Sequence, residues 1–170
     1  MKNEIIKTKG IVSIYKIKDK LIKPGDSFDD LKKKAYFRST KNNVICYVGL
    51  RCIVSLLSAH NDDYLDWDEL YINNCALGDT AGHTDQSTQL NSESYRKNIS
   101  SCSYSENELY TTSWYLPGDC SGNYREEGIF IGGDLTANSG YPLSLVDLTA
   151  AEGDKTSSDG LLIERKIIFD

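Results

Sequence analysis

The residues able to do chemistry in this chain are few and poorly spaced for it. There are two histidines, His60 and His83, and five cysteines, Cys46, Cys52, Cys75, Cys102 and Cys120. The cysteine count is odd and no CxxC pair is present, so zinc-ligand spacing is absent. They read as reduced thiols, mostly buried as small hydrophobes. His83 sits among threonines and aspartate in the polar stretch Thr80 to Gln89 and reads as a loop residue. Asp62, Asp63, Asp66, Asp68 and Glu69 form an acidic cluster around Tyr64, Leu65 and Trp67. Its spacing fits no EF-hand, and it reads as a solvated loop anchored by Trp67. No spacing supports a nucleophile with a base. The sequence therefore assigns no catalytic residue, no cofactor and no metal, and an enzyme is the weakest reading.

Two charged clusters remain. One is Glu93-Ser94-Tyr95-Arg96 and the other is Tyr124-Arg125-Glu126-Glu127-Gly128-Ile129-Phe130. Their chemistry is ion pairing rather than catalysis. Glu93, Arg96, Arg125 and Glu126 could form one network at a sheet rim or subunit contact. The alternative is a set of exposed pairs, each worth about 0–1 kcal/mol. The second cluster runs from charge into Gly-Ile-Phe, the pattern of a strand leaving a polar rim for a core. Gly128 allows a close backbone approach there, and Phe130 is expected to be a core residue.

The elements that must carry these clusters are mainly strands. Gly10 to Ile17 is β-branched and reads as a strand, and Pro24-Gly25-Asp26 breaks the chain. Phe28 to Phe37 is either a short helix, with acids first and lysines last, or an exposed excursion. Leu50, Ile53, Val54 and Leu57 recur at helical spacing, predicting one amphipathic helix. Leu70 to Leu77 reads as a strand ending at Gly78-Asp79, and Ser100 to Glu106 as a strand followed by a turn. Leu109 to Leu116 is a strong strand, with Leu109, Thr111, Ser113 and Tyr115 on one face. Residues 134–159 read as a long loop insertion whose only apolar anchors are Tyr141-Pro142-Leu143 and Leu145-Val146. Such a loop often makes contacts, so Tyr141, Leu143 and Leu145 are candidate partner-contact residues. Leu161 to Phe169 alternates as a closing core strand, with Arg165 interrupting its apolar face.

Composition agrees with this picture. The chain has 170 residues, a net charge of −6 and abundant tyrosine, a balance that favours strands and argues against a nucleic-acid partner. Lysines cluster between Lys16 and Lys34 but have acids among them, so they read as a solvated face. No signal peptide is expected, and no apolar run approaches membrane-spanning length. The expected fold is mainly β: an antiparallel β-sandwich or distorted barrel with one amphipathic helix packed on it. Residues 1–43 are expected to hold an N-terminal strand and an extended arm, and 44–170 the core domain.

Several segments, taken in order, resemble a known family. They are Gly49-Leu50 with Ile53, Leu56 and Leu57; Ala76-Leu77-Gly78-Asp79 with Gly82; Glu93-Ser94-Tyr95-Arg96; Arg125 to Phe130; and Leu161-Leu162-Ile163. Together they resemble the N-terminal, baseplate-attaching domains of bacteriophage tail-collar fibres and related small phage virion proteins. Glu127 stands where that family usually has an apolar residue, which would turn this position toward solvent or a partner. No fibre shaft follows Asp170, so the resemblance implies a standalone adaptor. It would be a virion structural protein of the tail, baseplate or neck, binding other virion proteins as a homo-oligomer. A capsid decoration or head-fibre base is the neighbouring possibility. A carbohydrate-binding module using Trp67, Trp114 and the tyrosines belongs to another class.

Overall fold

The computed structural model describes residues 8–58 and 71–170. The acidic cluster from Asp62 to Glu69, with Trp67 and His60, lies outside the described residues.

Two five-stranded antiparallel sheets face each other. The first takes β1 (Thr8–Lys18), β2 (Phe37–Asn42), β6 (Ser101–Ser105), β7 (Glu108–Tyr115) and β12 (Asp159–Phe169), in the order β2-β1-β12-β7-β6. The second takes β3 (Val44–Ile45), β4 (Ile72–Gly78), β5 (Glu93–Asn98), β9 (Glu126–Ile131) and β10 (Tyr141–Asp147), in the order β3-β10-β9-β4-β5. β12 and β9 are therefore the middle strands of the two sheets. A small third sheet joins β8 (Gly122–Asn123) to β11 (Asp154–Lys155). The expected antiparallel β-sandwich with a packed helix is what the chain forms.

The closing strand behaves as its alternation predicts. β12 pairs with β1 from Thr8↔Phe169 to Lys18↔Asp159 and with β7 along its other edge. Leu161, Ile163 and Ile167 point inward and join Val12, Ile14, Cys75, Leu77, Tyr115, Ile129 and Val146 in one core. That core draws on both sheets, which makes the fold a sandwich.

The segment from Phe28 resolves as a helix, α1 (Phe28–Lys34). Ser27 caps it: its side chain accepts from Asp30 N at 3.2 Å, while Asp30 accepts from Ser27 N at 3.3 Å. Leu31 of α1 then covers Ile17 and Leu162 on the outer face of the first sheet, where Trp114 also packs.

The amphipathic helix is α2 (Tyr47–Ser58), packed on β10. Its buried face differs from the predicted stripe. Cys52 is buried, whereas Val54 is 52% exposed. Gly49 sets this rotation: a Cβ there would stand 2.6 Å from Leu143 Cα, so the helix turns its glycine to the strand.

Two expectations need correction. Residues 134–159 are not one loop, because they contain β10, α3 (Ala150–Gly153) and β11. Leu143 and Leu145 are fully buried and Tyr141 is half-buried against the core. Strand β10 hid in the sequence because it is buried on both faces and bulged between Pro142 and Ser144, which destroys alternation. Pro142 is tolerated because β3 pairs only with Ser144 and Leu145. The lysine cluster is not wholly solvated either. Lys16 is buried, and its ammonium donates to the carbonyls of Ala151, at 3.0 Å, and Asp154. The cysteines are as expected: all are free thiols and most are buried, with Cys102 exposed and Cys120 intermediate.

Candidate functional site

The residues singled out from sequence converge on β9 and its neighbours. All six residues of β9 are buried. Its side chains alternate between two environments. Ile129 and Ile131 face the first sheet within the sandwich core. Phe130 faces away, into a second cluster with Cys46, Ala76, Leu90 and Leu145. Gly128 shares that outer face, where a Cβ would come within 2.5 Å of Leu145 Cδ2. The outer face is buried because the polar segment Asp79 to Ser92 folds back over it.

Glu126 holds that segment down. Its carboxylate is fully buried and accepts from Asn91 N at 2.8 Å and Ser92 N at 2.7 Å. His83 Nε2 lies 2.6 Å from Glu126 Oε2, with the imidazole also buried. Asp147 extends the group: its carboxylate accepts from Gly82 N at 3.0 Å and lies 3.9 Å from His83 Nε2. A histidine between two acids could relay a proton. Here the Glu126 oxygens are occupied by backbone N–H groups and the imidazole has no exposed surface, so the arrangement works as a clasp. Sequence reasoning assigned His83 to the loop but missed its partner, because the segment must fold back for the two to meet.

Glu93 and Arg96 form a separate unit on β5. Arg96 Nε and Nη2 donate to the two Glu93 oxygens at 2.7 and 2.8 Å, a bidentate pair with almost no exposed surface. The guanidinium lies 4.1 Å from the Phe130 ring centroid. Glu93 also accepts from Asn138 N at 3.0 Å, tying the turn before β10 to the edge of the sheet. Tyr95, between them, points the other way and tilts against Tyr115 at 6.2 Å.

Arg125 joins neither group. It donates to Asp154 at 2.8 Å and to Tyr124 O at 2.7 Å. The expected network of Glu93, Arg96, Arg125 and Glu126 is thus three separate units. Glu126 shares the outer face of β9 with Gly128 and Phe130, whereas Arg125 precedes the strand and reaches Asp154 at the start of β11.

Glu127 is the second correction at this site. It faces neither solvent nor a partner but the interior, where it is fully buried and ion-paired with Arg165 of β12. Arg165 Nη1 donates to Glu127 Oε1 at 3.1 Å, and the Tyr115 hydroxyl donates to the same oxygen at 3.3 Å. Burial pulls the Arg165 guanidinium down to about 10, which leaves it charged at neutral pH. Burial likewise pushes up the thiols of Cys46, Cys52, Cys75 and Cys120, Cys46 to about 12, so these four stay protonated and poorly nucleophilic.

Among the described residues no three histidine, cysteine, aspartate or glutamate side chains form a metal-ligand group, and no helix is long and apolar enough to cross a membrane. Trp114 is not an open platform, since its ring packs against Gly160 and the α1 cluster. No protein-family model matches the chain, and comparison with curated proteins and with solved structures gives no significant match.

Proposed function

We propose that the chain is a virion structural protein: a small adaptor or collar component of a phage tail, baseplate or neck that works through protein–protein contacts. The observation that supports this reading is the division of labour among its side chains. The charged groups of the singled-out motifs act inside the fold. Glu126 and Glu93 hold loops, and Glu127 and Arg165 join the sheets. Lys16 and Lys155 close carbonyls of neighbouring turns, Lys155 donating to Leu116 O at 3.0 Å and Cys120 O at 2.8 Å. Four tyrosines instead stand on the outside, Tyr36, Tyr47, Tyr71 and Tyr104 each being more than half exposed, while Tyr115 and Tyr124 are buried. A sandwich clamped internally, with an aromatic surface, suits a rigid part held in an assembly, because tyrosine is enriched in interfaces. The ordered segments that resemble tail-collar attachment domains lie within this same scaffold.

The test is the protein content of purified particles of the source phage. Mass spectrometry is expected to find the chain at a fixed ratio to the major structural protein. A chain abundant in the infected lysate but absent from washed particles would overturn the reading. Antibody labelling of intact particles then separates tail from head.

A further inference from the structure

The two sheets have four outer strands, and three of them are guarded. β2 carries Arg38 and Lys41; β5 carries Glu93, Arg96 and Lys97 and is bulged against β4; β3 is two residues long. Charges, bulges and shortness are the devices that prevent a sheet edge from pairing with another chain. β6 has none of them. It is Ser101-Cys102-Ser103-Tyr104-Ser105, without a charge or a proline, and every residue is exposed. It pairs with β7 in unbroken register from Ser101↔Thr112 to Ser105↔Glu108, so its backbone is straight up to the edge. Among the described residues nothing pairs with its outer side.

We propose that β6 is the contact by which two copies of this chain associate, edge to edge and antiparallel about a twofold axis at Ser103. The strand's own order points to a second copy as the occupant. Reversed against itself about Ser103, it sets serine opposite serine at every odd position and Cys102 opposite Tyr104 at both even ones. An isologous contact needs this kind of self-match, and no like charges meet across it. The two faces also fit. Ser101, Ser103 and Ser105 share the outer face with Thr112, Tyr110 and Glu108, while Cys102 and Tyr104 share the inner side with Thr111 and Leu109. Tyr104, 84% exposed, stands at the rim of an open apolar groove of about 310 Å³ lined by Leu109, Ile131 and Phe169. Pairing would lay it against Cys102 of the other copy and continue the first sheet from one molecule into the next.

The inference gives the assembly reading a surface and rests on it only for biological context. A dimer missing from particles would remove the virion placement and leave the edge pairing intact. A monomer found in particles would do the reverse.

The experiment is light scattering behind a sizing column, with hydrogen exchange on the same samples. The wild-type chain is expected to run at twice its 19.0 kDa mass and to dissociate on dilution, with the β6 amides losing protection as it does. Ser103→Lys places two ammonium groups across the axis and is expected to give the monomer mass with an unchanged circular dichroism spectrum. Ser157→Lys, in the exposed turn before β12, is expected to remain dimeric. A monomeric wild type, with the edge covered by the chain's own remaining residues or left bare, would overturn the proposal. So would a dimer whose β6 amides exchange freely, a result that needs no variant to fold.

Discussion

Glu127 and Arg165 join the middle strand of one sheet to the middle strand of the other, through the centre of the core. Both side chains are fully buried, and Tyr115 adds its hydroxyl to the same carboxylate. Desolvating two charges is costly, and their attraction offsets that cost only while both are present. Replacing one alone leaves an unpaired charge in an apolar interior. Glu127→Leu or Arg165→Met is therefore expected to cost about 3–5 kcal/mol. The double variant should lose much less than either single one, because no charge is then stranded. Urea unfolding of the four proteins gives the coupling energy, and additive losses would show that the pair does not act as a unit.

This pair also shows what the sequence could reveal. Arg165 is visible as the one charge interrupting the apolar face of β12, and Glu127 as a charge directly before the Gly-Ile-Phe run bound for the core. Two interruptions of opposite sign, on two strands otherwise bound for the core, are the signal that they meet. Pairing them requires knowing that the two strands face each other, which local pattern does not give. β12 was legible because one face repeats apolar residues at period two, β7 because it is rich in aromatic and β-branched residues, and β9 because its charges run into Gly-Ile-Phe. β10 was not, because Leu143 and Leu145 enter different clusters across a bulge. The Glu126 clasp was illegible for a third reason: its partners are mainly backbone N–H groups, which any residue supplies.

Phe130 and Gly128 make the outer cluster of the second sheet a packing test. Phe130 has no exposed surface and carries the Arg96 guanidinium on its face. Phe130→Ala is expected to cost about 3–5 kcal/mol. Gly128→Ala adds a methyl where Leu145 Cδ2 and the Phe130 ring already lie within 2.5 and 3.2 Å. The leucine can shift only against its neighbours, so a loss of about 1–3 kcal/mol is expected. Thermal melts read both, and a Phe130→Ala melt near the wild-type value would remove this residue from the core.

The Glu126 clasp predicts a local rather than a global effect. Glu126→Ala leaves the N–H groups of Asn91 and Ser92 without their acceptor and removes the group facing His83. The segment from Asp79 to Ser92 should then open while the strands beneath stay paired. Hydrogen exchange is expected to show early loss of protection at Asn91 and Ser92, and cleavage by a nonspecific protease within the segment. Glu126→Gln keeps one acceptor oxygen and should fall between. Uniform loss of protection across β4, β9 and β10 would instead mean that Glu126 supports the whole sheet.

Asp159 sets an acid limit on stability. It is buried where β12 begins and accepts from Lys18 Nζ at 2.6 Å, Thr156 Oγ1 at 2.5 Å and Tyr36 OH at 3.0 Å. Burial alone would raise its pKa, but those three donors outweigh it and hold the carboxyl at about 2, below its ordinary 3.8. A depressed carboxylate pKa means that the unfolded chain takes up the proton first as pH falls. The contribution is complete well above the unfolded value and is lost as pH drops through it toward the folded one. The difference of nearly two pH units corresponds to about 2 kcal/mol. Asp159→Asn should therefore be less stable than wild type at neutral pH, with the gap closing between about pH 5 and pH 2. Denaturant titrations across that range check it. Parallel curves for the two proteins would show that Asp159 is not held as its charged form, whereas convergence in acid would assign this part of the acid sensitivity to the single contact between β12, β1 and the turn before β2.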